Sequence, residues 1–173
     1  MRRRSPVLVL ACLWLIADWG CGPQPDVNAI KVIPQITGYY DDGVVPDGKD
    51  QGQNRILPSI TFQLKNEGAL PIEYVDITVA FWRVVNDGEQ DSKLIHAINR
   101  EPLAPGATTD SLTVRSTVGY TSPVKHDEFF SLSAFIDFKV KVFARRAGIN
   151  ASLGEFAVER RVLPPTRKDG LHP

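Results

Sequence analysis

The chain is expected to fold as an all-β protein, a single antiparallel β-sandwich of about seven strands behind a signal peptide. Three observations predict it. Apolar and polar residues alternate with period two in several short segments, turn-forming residues recur about every ten positions, and helical periodicity is almost missing. With 173 residues, the chain is long enough for one well-buried domain and short for two. The expected organisation is a signal peptide over 1–20, a tether over 21–27, the sandwich over 28–163 and a disordered tail over 164–173.

The leader comes first. Arg2, Arg3 and Arg4 precede an apolar run over residues 7–16, and small and polar residues follow as far as Gly22. That order is the signature of an export signal. The run is shorter than the roughly 20 apolar residues that a spanning helix needs. Cys21 follows Ala17, Asp18, Trp19 and Gly20, the position at which bacterial lipoproteins carry their lipid-modified cysteine. By that resemblance Cys21 is the lipidation site and the lipid bilayer the first partner. Several acyl chains on one residue would suffice for stable anchoring. Gly22 follows, where an aspartate would resemble an inner-membrane retention signal, so the expected address is the outer membrane. Cys12 lies inside the apolar run and Cys21 is the only other cysteine, so the mature domain must be held by its core without a disulfide.

Within the domain, residues 28–37 read as an edge strand, because Pro34 removes a ladder donor. Residues 39–55, rich in Asp and Gly, read as a long loop. In the stretch 58–85, Ile60, Phe62 and Leu64 alternate with Thr61, Gln63 and Lys65. Val75, Ile77, Val79 and Phe81 alternate with Asp76, Thr78 and Ala80, and Asn66, Gly68 and Pro71 supply the turn between. Asp87-Gly88 marks the next turn, followed by a short strand over 93–98, a Pro/Gly-punctuated connection over 101–106 and a strand over 110–116. Residues 117–127 are irregular, and 129–134 fit either a short helix or a strand start. Ile136, Phe138, Val140 and Val142 alternate next; residues 147–151 turn the chain, and a last strand carries Phe156 and Val158. Pairing Val142 with Phe156 and Val140 with Val158 keeps apolar residues on one face and sets Lys139 against Glu159 and Asp137 against Arg161. The expected core comprises Phe62, Leu64, Val75, Ile77, Val79, Phe81, Leu112, Val114, Phe138, Val140, Val142, Phe156 and Val158.

Phe62-Gln63-Leu64-Lys65-Asn66-Glu67-Gly68, then Pro71-Ile72, a strand ending in Phe81-Trp82, Asp87-Gly88 and Leu103-Ala104-Pro105-Gly106 follow one another in the order found in FxLYD-type domains. The likeness covers residues 59–116. These domains are immunoglobulin-like sandwiches of bacterial envelope proteins, akin to the late-embryogenesis-abundant LEA14-like fold. The resemblance implies an immunoglobulin-like architecture, an envelope setting and no catalytic residues to carry over.

Chemistry is sparse in the remaining sequence. The chain has equal basic and acidic counts, and removing Arg2, Arg3, Arg4 and Asp18 leaves 17 basic and 19 acidic groups, so no basic footprint for nucleic acid exists. His96, His126 and His172 are too far apart for a metal-ligand spacing, and His126 beside Asp127 and Glu128 reads as a solvated helix start. No nucleophile elbow, phosphate loop or dinucleotide glycine pattern is present. Asp41, Asp42, Asp47 and Asp50 are the candidates for calcium, but their intervals do not match a calcium loop, and no cofactor is expected. Tyr74 and Trp82 offer a possible aromatic binding face, on the far side of their strand from the apolar row. The reading is a non-enzymatic envelope lipoprotein, an interaction or scaffolding module whose partner is another envelope protein; the alternative is an exported module binding glycan or calcium through the aromatic face or the acidic loop.

Overall fold

A computed structural model describes residues 25–164, apart from the side chain of Asp127. The leader, Cys21 and the expected disordered tail beyond residue 164 lie outside the described residues. Nine strands form: β1 (Ile30–Val44), β2 (Asn54–Asn66), β3 (Val75–Arg83), β4 (Gly88–Ile98), β5 (Leu112–Arg115), β6 (Tyr120–Ser122), β7 (Phe138–Arg146), β8 (Ile149–Ala157) and β9 (Val162–Leu163). One sheet has the order β5-β2-β1-β9 with β6 also on β2, and the other runs β4-β3-β7-β8. Every pairing is antiparallel except β1 with β9. Two sheets built mainly of antiparallel neighbours and packed face to face make this an all-β sandwich. The strands beyond the expected seven include β6 and β9, of three and two residues, too short to show a period.

The two alternating runs of residues 58–85 belong to different sheets. Phe62 and Leu64 of β2 point inward from one, Val75, Ile77, Val79 and Phe81 of β3 from the other, and all six are fully buried. Each such side chain contributes roughly 1.5 to 3 kcal/mol relative to exposure, against the entropy of ordering the chain. Leu112 and Phe156 of the expected core are only half-buried, whereas Tyr39, Ile56, Ile60 and Phe129 join it.

Two expectations require correction. Residues 39–44 are not loop: β1 continues to Val44 and pairs with β2 along its length, with two register shifts that skip Gln35 and Asp42, so the loop shrinks to 45–53. Burial of Tyr39 beneath the sheet drives this extension, despite the polar residues that follow it. The β7–β8 hairpin forms, but two residues out of the expected register: Val140 faces Phe156 and Val142 faces Gly154. The reason is the turn. Ala147 and Gly148 both take left-handed φ (48° and 83°), making a two-residue turn of the primed kind, and Leu153 bulges out before Gly154 at φ 144°. Consequently Lys139 meets Glu155, and Asp137 pairs with Arg160 instead of Arg161. Residues 126–131 settle as a 3-10 helix, His126–Ser131.

The two ends of the core are closed differently. At one end an aromatic cluster stacks: Tyr39 on Phe130 and Phe135, Tyr120 on Phe135 and Phe138, with centroids 4.7 to 6.0 Å apart. The Tyr120 hydroxyl donates to the Ile136 carbonyl at 2.6 Å and accepts its N–H at 2.9 Å, fastening the β6–β7 connection. At the other end sits Asn66, a fully buried amide. Its Nδ2 donates to the carbonyls of Leu70 (2.8 Å) and Leu103 (2.9 Å), its Oδ1 accepts from Gly68 N–H (2.9 Å), and its backbone bonds Ala107 and Gly106. The β2–β3 crossover and the loop at 103–107 are thereby joined. Asn66→Ala is expected to lower stability by about 2 to 4 kcal/mol in urea unfolding, because a buried carbonyl, that of Leu103, and a part-buried one, that of Leu70, lose their donor; a loss under about 0.5 kcal/mol, the scale of a surface change, would show that the amide does not hold the crossover.

Candidate functional site

The outer face of the β4-β3-β7-β8 sheet is set by register. Asp76, Thr78, Ala80 and Trp82 on β3 lie beside Arg145, Phe143, Lys141 and Lys139 on β7. Lys141 Nζ stands 3.8 Å over the Trp82 ring, a cation–π contact. Lys139 Nζ reaches Asp87 at 2.8 Å and Glu155 at 3.0 Å; Lys141 reaches the same two carboxylates at 3.3 and 3.9 Å. The hydrogen bond from Lys139, followed by that from Lys141, lowers the Asp87 pKa, and in turn Asp87 and then Glu155 raise that of Lys139. Glu155 is in place because of the two-residue turn and the bulge in β8. One face of the ring on which a sugar would stack is therefore occupied by an ammonium group, and the indole Nε1, itself buried, has no hydrogen-bond partner among the described residues.

Tyr74 is not part of that cluster. It precedes β3 at a left-handed φ of 55° and is 58% exposed, while Trp82 lies eight positions on, roughly 26 Å along an extended strand. The two aromatics mark opposite ends of the sheet.

The acidic candidates disperse as well. Asp41 accepts the Gly43 N–H at 2.8 Å and lies 3.1 Å from His126 Nε2, close enough for an ion pair although the angle is not that of a directed hydrogen bond. Asp42 pairs with Arg55. Asp47 and Asp50 flank the β1–β2 turn, whose backbone bonds run from Gln51 N–H to the Gly48 carbonyl and from Gln53 N–H to the Asp50 carbonyl. No three metal-ligating side chains converge among the described residues. His96 contacts Asp76 at 2.6 Å on the surface, distant in register from His126. A cleft of about 500 Å³ beside the end of β4 is walled by Ile98, Leu103 and Ala107, with Glu101 and Asp110 at its margin.

No family model and no curated protein matches this chain. Similar solved structures include the ApaA protein of Bordetella pertussis (14% identity, 76% of this chain and 93% of that one, TM-score 0.42) and the structural-genomics target SoR45 (15%, 84% and 95%, TM-score 0.43). The AlkC DNA glycosylase of Pseudomonas fluorescens, bound to DNA containing an abasic-site analogue, matches over 77% of this chain and 31% of its own at 16% identity and TM-score 0.32. Likenesses at this level assign no activity.

One carboxylate that the periodicity did not single out bridges the sheets. Asp91 on β4 accepts from Thr117 N–H (2.6 Å), Thr117 Oγ1 (2.9 Å) and Ser116 Oγ (3.0 Å), with Lys93 Nζ at 3.3 Å. Burial alone would raise its pKa, but the bonds from Thr117, Ser116 and Lys93 together outweigh it and bring the group down from 3.8 to about 2. A carboxylate so depressed stabilises the fold above its unfolded pKa and loses that contribution as pH falls through the folded value. Between pH 4 and 2 the domain is expected to lose ~2 kcal/mol from this group. Asp91→Asn should flatten that acid limb when urea unfolding is followed against pH; an unchanged limb would exclude Asp91 as its source.

Proposed function

We propose that this protein is an exported, lipid-anchored module of the bacterial cell envelope that acts without catalysis, as an interaction or scaffolding domain bound to another envelope protein and held by Cys21, with the outer membrane as its destination. The observation that carries the reading is the order of features at the N-terminus: basic cluster, apolar run, Cys21 and then, four residues later, the first residue of the described domain at Pro25. The likeness of residues 59–116 to FxLYD-type envelope sandwiches supports the same setting. The sandwich contributes a rigid body, its core ends sealed by the aromatic cluster and by Asn66.

Intact-mass analysis of the protein purified from membranes tests the anchor. The expected mature chain begins at Cys21 and carries acyl mass on it, and Cys21→Ser should leave the precursor unprocessed. An unmodified chain beginning at any other residue would end the lipoprotein reading.

A further inference from the structure

If Cys21 carries the lipid, the fold fixes which end of the sandwich meets the bilayer. Ile30 pairs with Asn66, Val75 with Ile98, and Arg146 with Ile149, so the start of β1, the β2–β3 crossover, the end of β4 and the β7–β8 turn all lie at one end. The chain enters the domain here. Cys21 and Pro25 are four positions apart, a reach of at most about 14 Å.

Two large side chains stand out at this end, Tyr74 and Ile149, 58% and 59% exposed. Neither is on a loose segment. Tyr74 is held at φ 55°, a conformation that a tyrosine adopts only at a cost, and its N–H donates to the Asn99 carbonyl at 3.3 Å. Arg146 Nε donates to the Glu73 carbonyl at 2.9 Å, tying the residue before Tyr74 to the turn that presents Ile149. The two side chains therefore share one rigid rim. Arg100 and Arg145 are exposed beside it, and Glu73 and Glu101 offset part of the charge that these two and Arg146 bring.

We propose that the Tyr74–Ile149 rim is a bilayer-contact surface that seats the lipid-anchored domain upright on the membrane. The proposal rests on the lipoprotein reading. Tyrosine suits the headgroup region because its ring is apolar and its hydroxyl wet, an isoleucine beside it adds apolar area, and the guanidinium groups of Arg100 and Arg145 can meet lipid phosphates. With Arg146 counted, the rim has three arginines against two glutamates, so apolar insertion is supplemented by a small net positive charge. Val84 and Val85, also exposed, sit at the β3–β4 turn at the other end, a strand length of roughly 30 Å further from the anchor.

The chain suits a direct test, because Trp14 and Trp19 precede Cys21 and Trp82 is then the mature protein's sole tryptophan. The full chain is expressed with its leader, purified from membranes, checked by mass for lipid on Cys21 and reconstituted into phosphatidylcholine vesicles with or without brominated chains. In a Trp82→Phe background, Tyr74→Trp and Ile149→Trp should each lose more than about half of their emission to brominated lipid, as headgroup-level aromatics do. Val85→Trp, and Trp82 in the unsubstituted protein, should lose none. Equal quenching at all positions, quenching confined to the far end, or none at the rim would overturn the proposal while a lipidated Cys21 left the anchor standing; an unlipidated Cys21 would remove both.

Discussion

A single buried amide at Asn66 decides how the two sheets are joined. The domain has no cysteine between residues 25 and 164, so nothing covalent ties one sheet to the other except the chain itself. The chain crosses from β2 to β3 at Asn66, and the side chain spends both of its N–H groups on carbonyls of the crossover and of the 103–107 loop. The Ile72 and Leu103 backbones then bond each other in both directions, at 3.0 and 2.8 Å. A buried polar group is stabilising only when its hydrogen bonds are satisfied, and here donor and acceptor atoms are all engaged. The inward faces of β2 and β3 oppose each other because this crossover is fixed.

Residues 66–68, 70–72 and 103–107 meet at this one place. Asn66 Nδ2 donates to the Leu103 carbonyl, Gly106 N–H donates to the Asn66 carbonyl, and Gly68 N–H closes on Asn66 Oδ1. The features describe a crossover lock, not a binding pocket. The outer sheet face beyond it is covered by its own lysines, with Trp82 under Lys141, and both core ends are sealed. The exposed apolar side chains lie partly at the rims, Tyr74, Ile149, Val84 and Val85, and partly along strands, Ile36 on β1 and Leu94 on β4.

The alternating segments were legible: the second half of β2, the start of β3 and most of β7 show period two because one face is fully buried and the other only partly so. The extension of β1 was not, since Tyr40-Asp41-Asp42-Gly43 carries turn-like residues while only Tyr39 anchors it to the core. The register of β7 against β8 failed for a similar reason. Parity was correct, but Ala147 gives no warning of a left-handed φ, and the bulge at Leu153–Gly154 shifts every pair beyond it. Of the candidate site, the exposure of Tyr74 was readable, whereas the closure of Trp82 by Lys141 depends on cross-strand neighbours that only the sheet order supplies. Asp91 was invisible because its partners, Ser116 and Thr117, are 25 and 26 residues away across the sandwich.

Hydrogen exchange of the native domain tests the crossover lock most directly. The amides of Ile72, Leu103 and Gly106 lie outside the regular strands, where loop amides ordinarily exchange through small local openings. If the Asn66 lock governs the fold, these three should exchange only through global unfolding, with the same free energy as Val79 and Val140 in the sheet core. Exchange several kcal/mol easier at Ile72, Leu103 and Gly106 than at Val79 and Val140 would contradict the account.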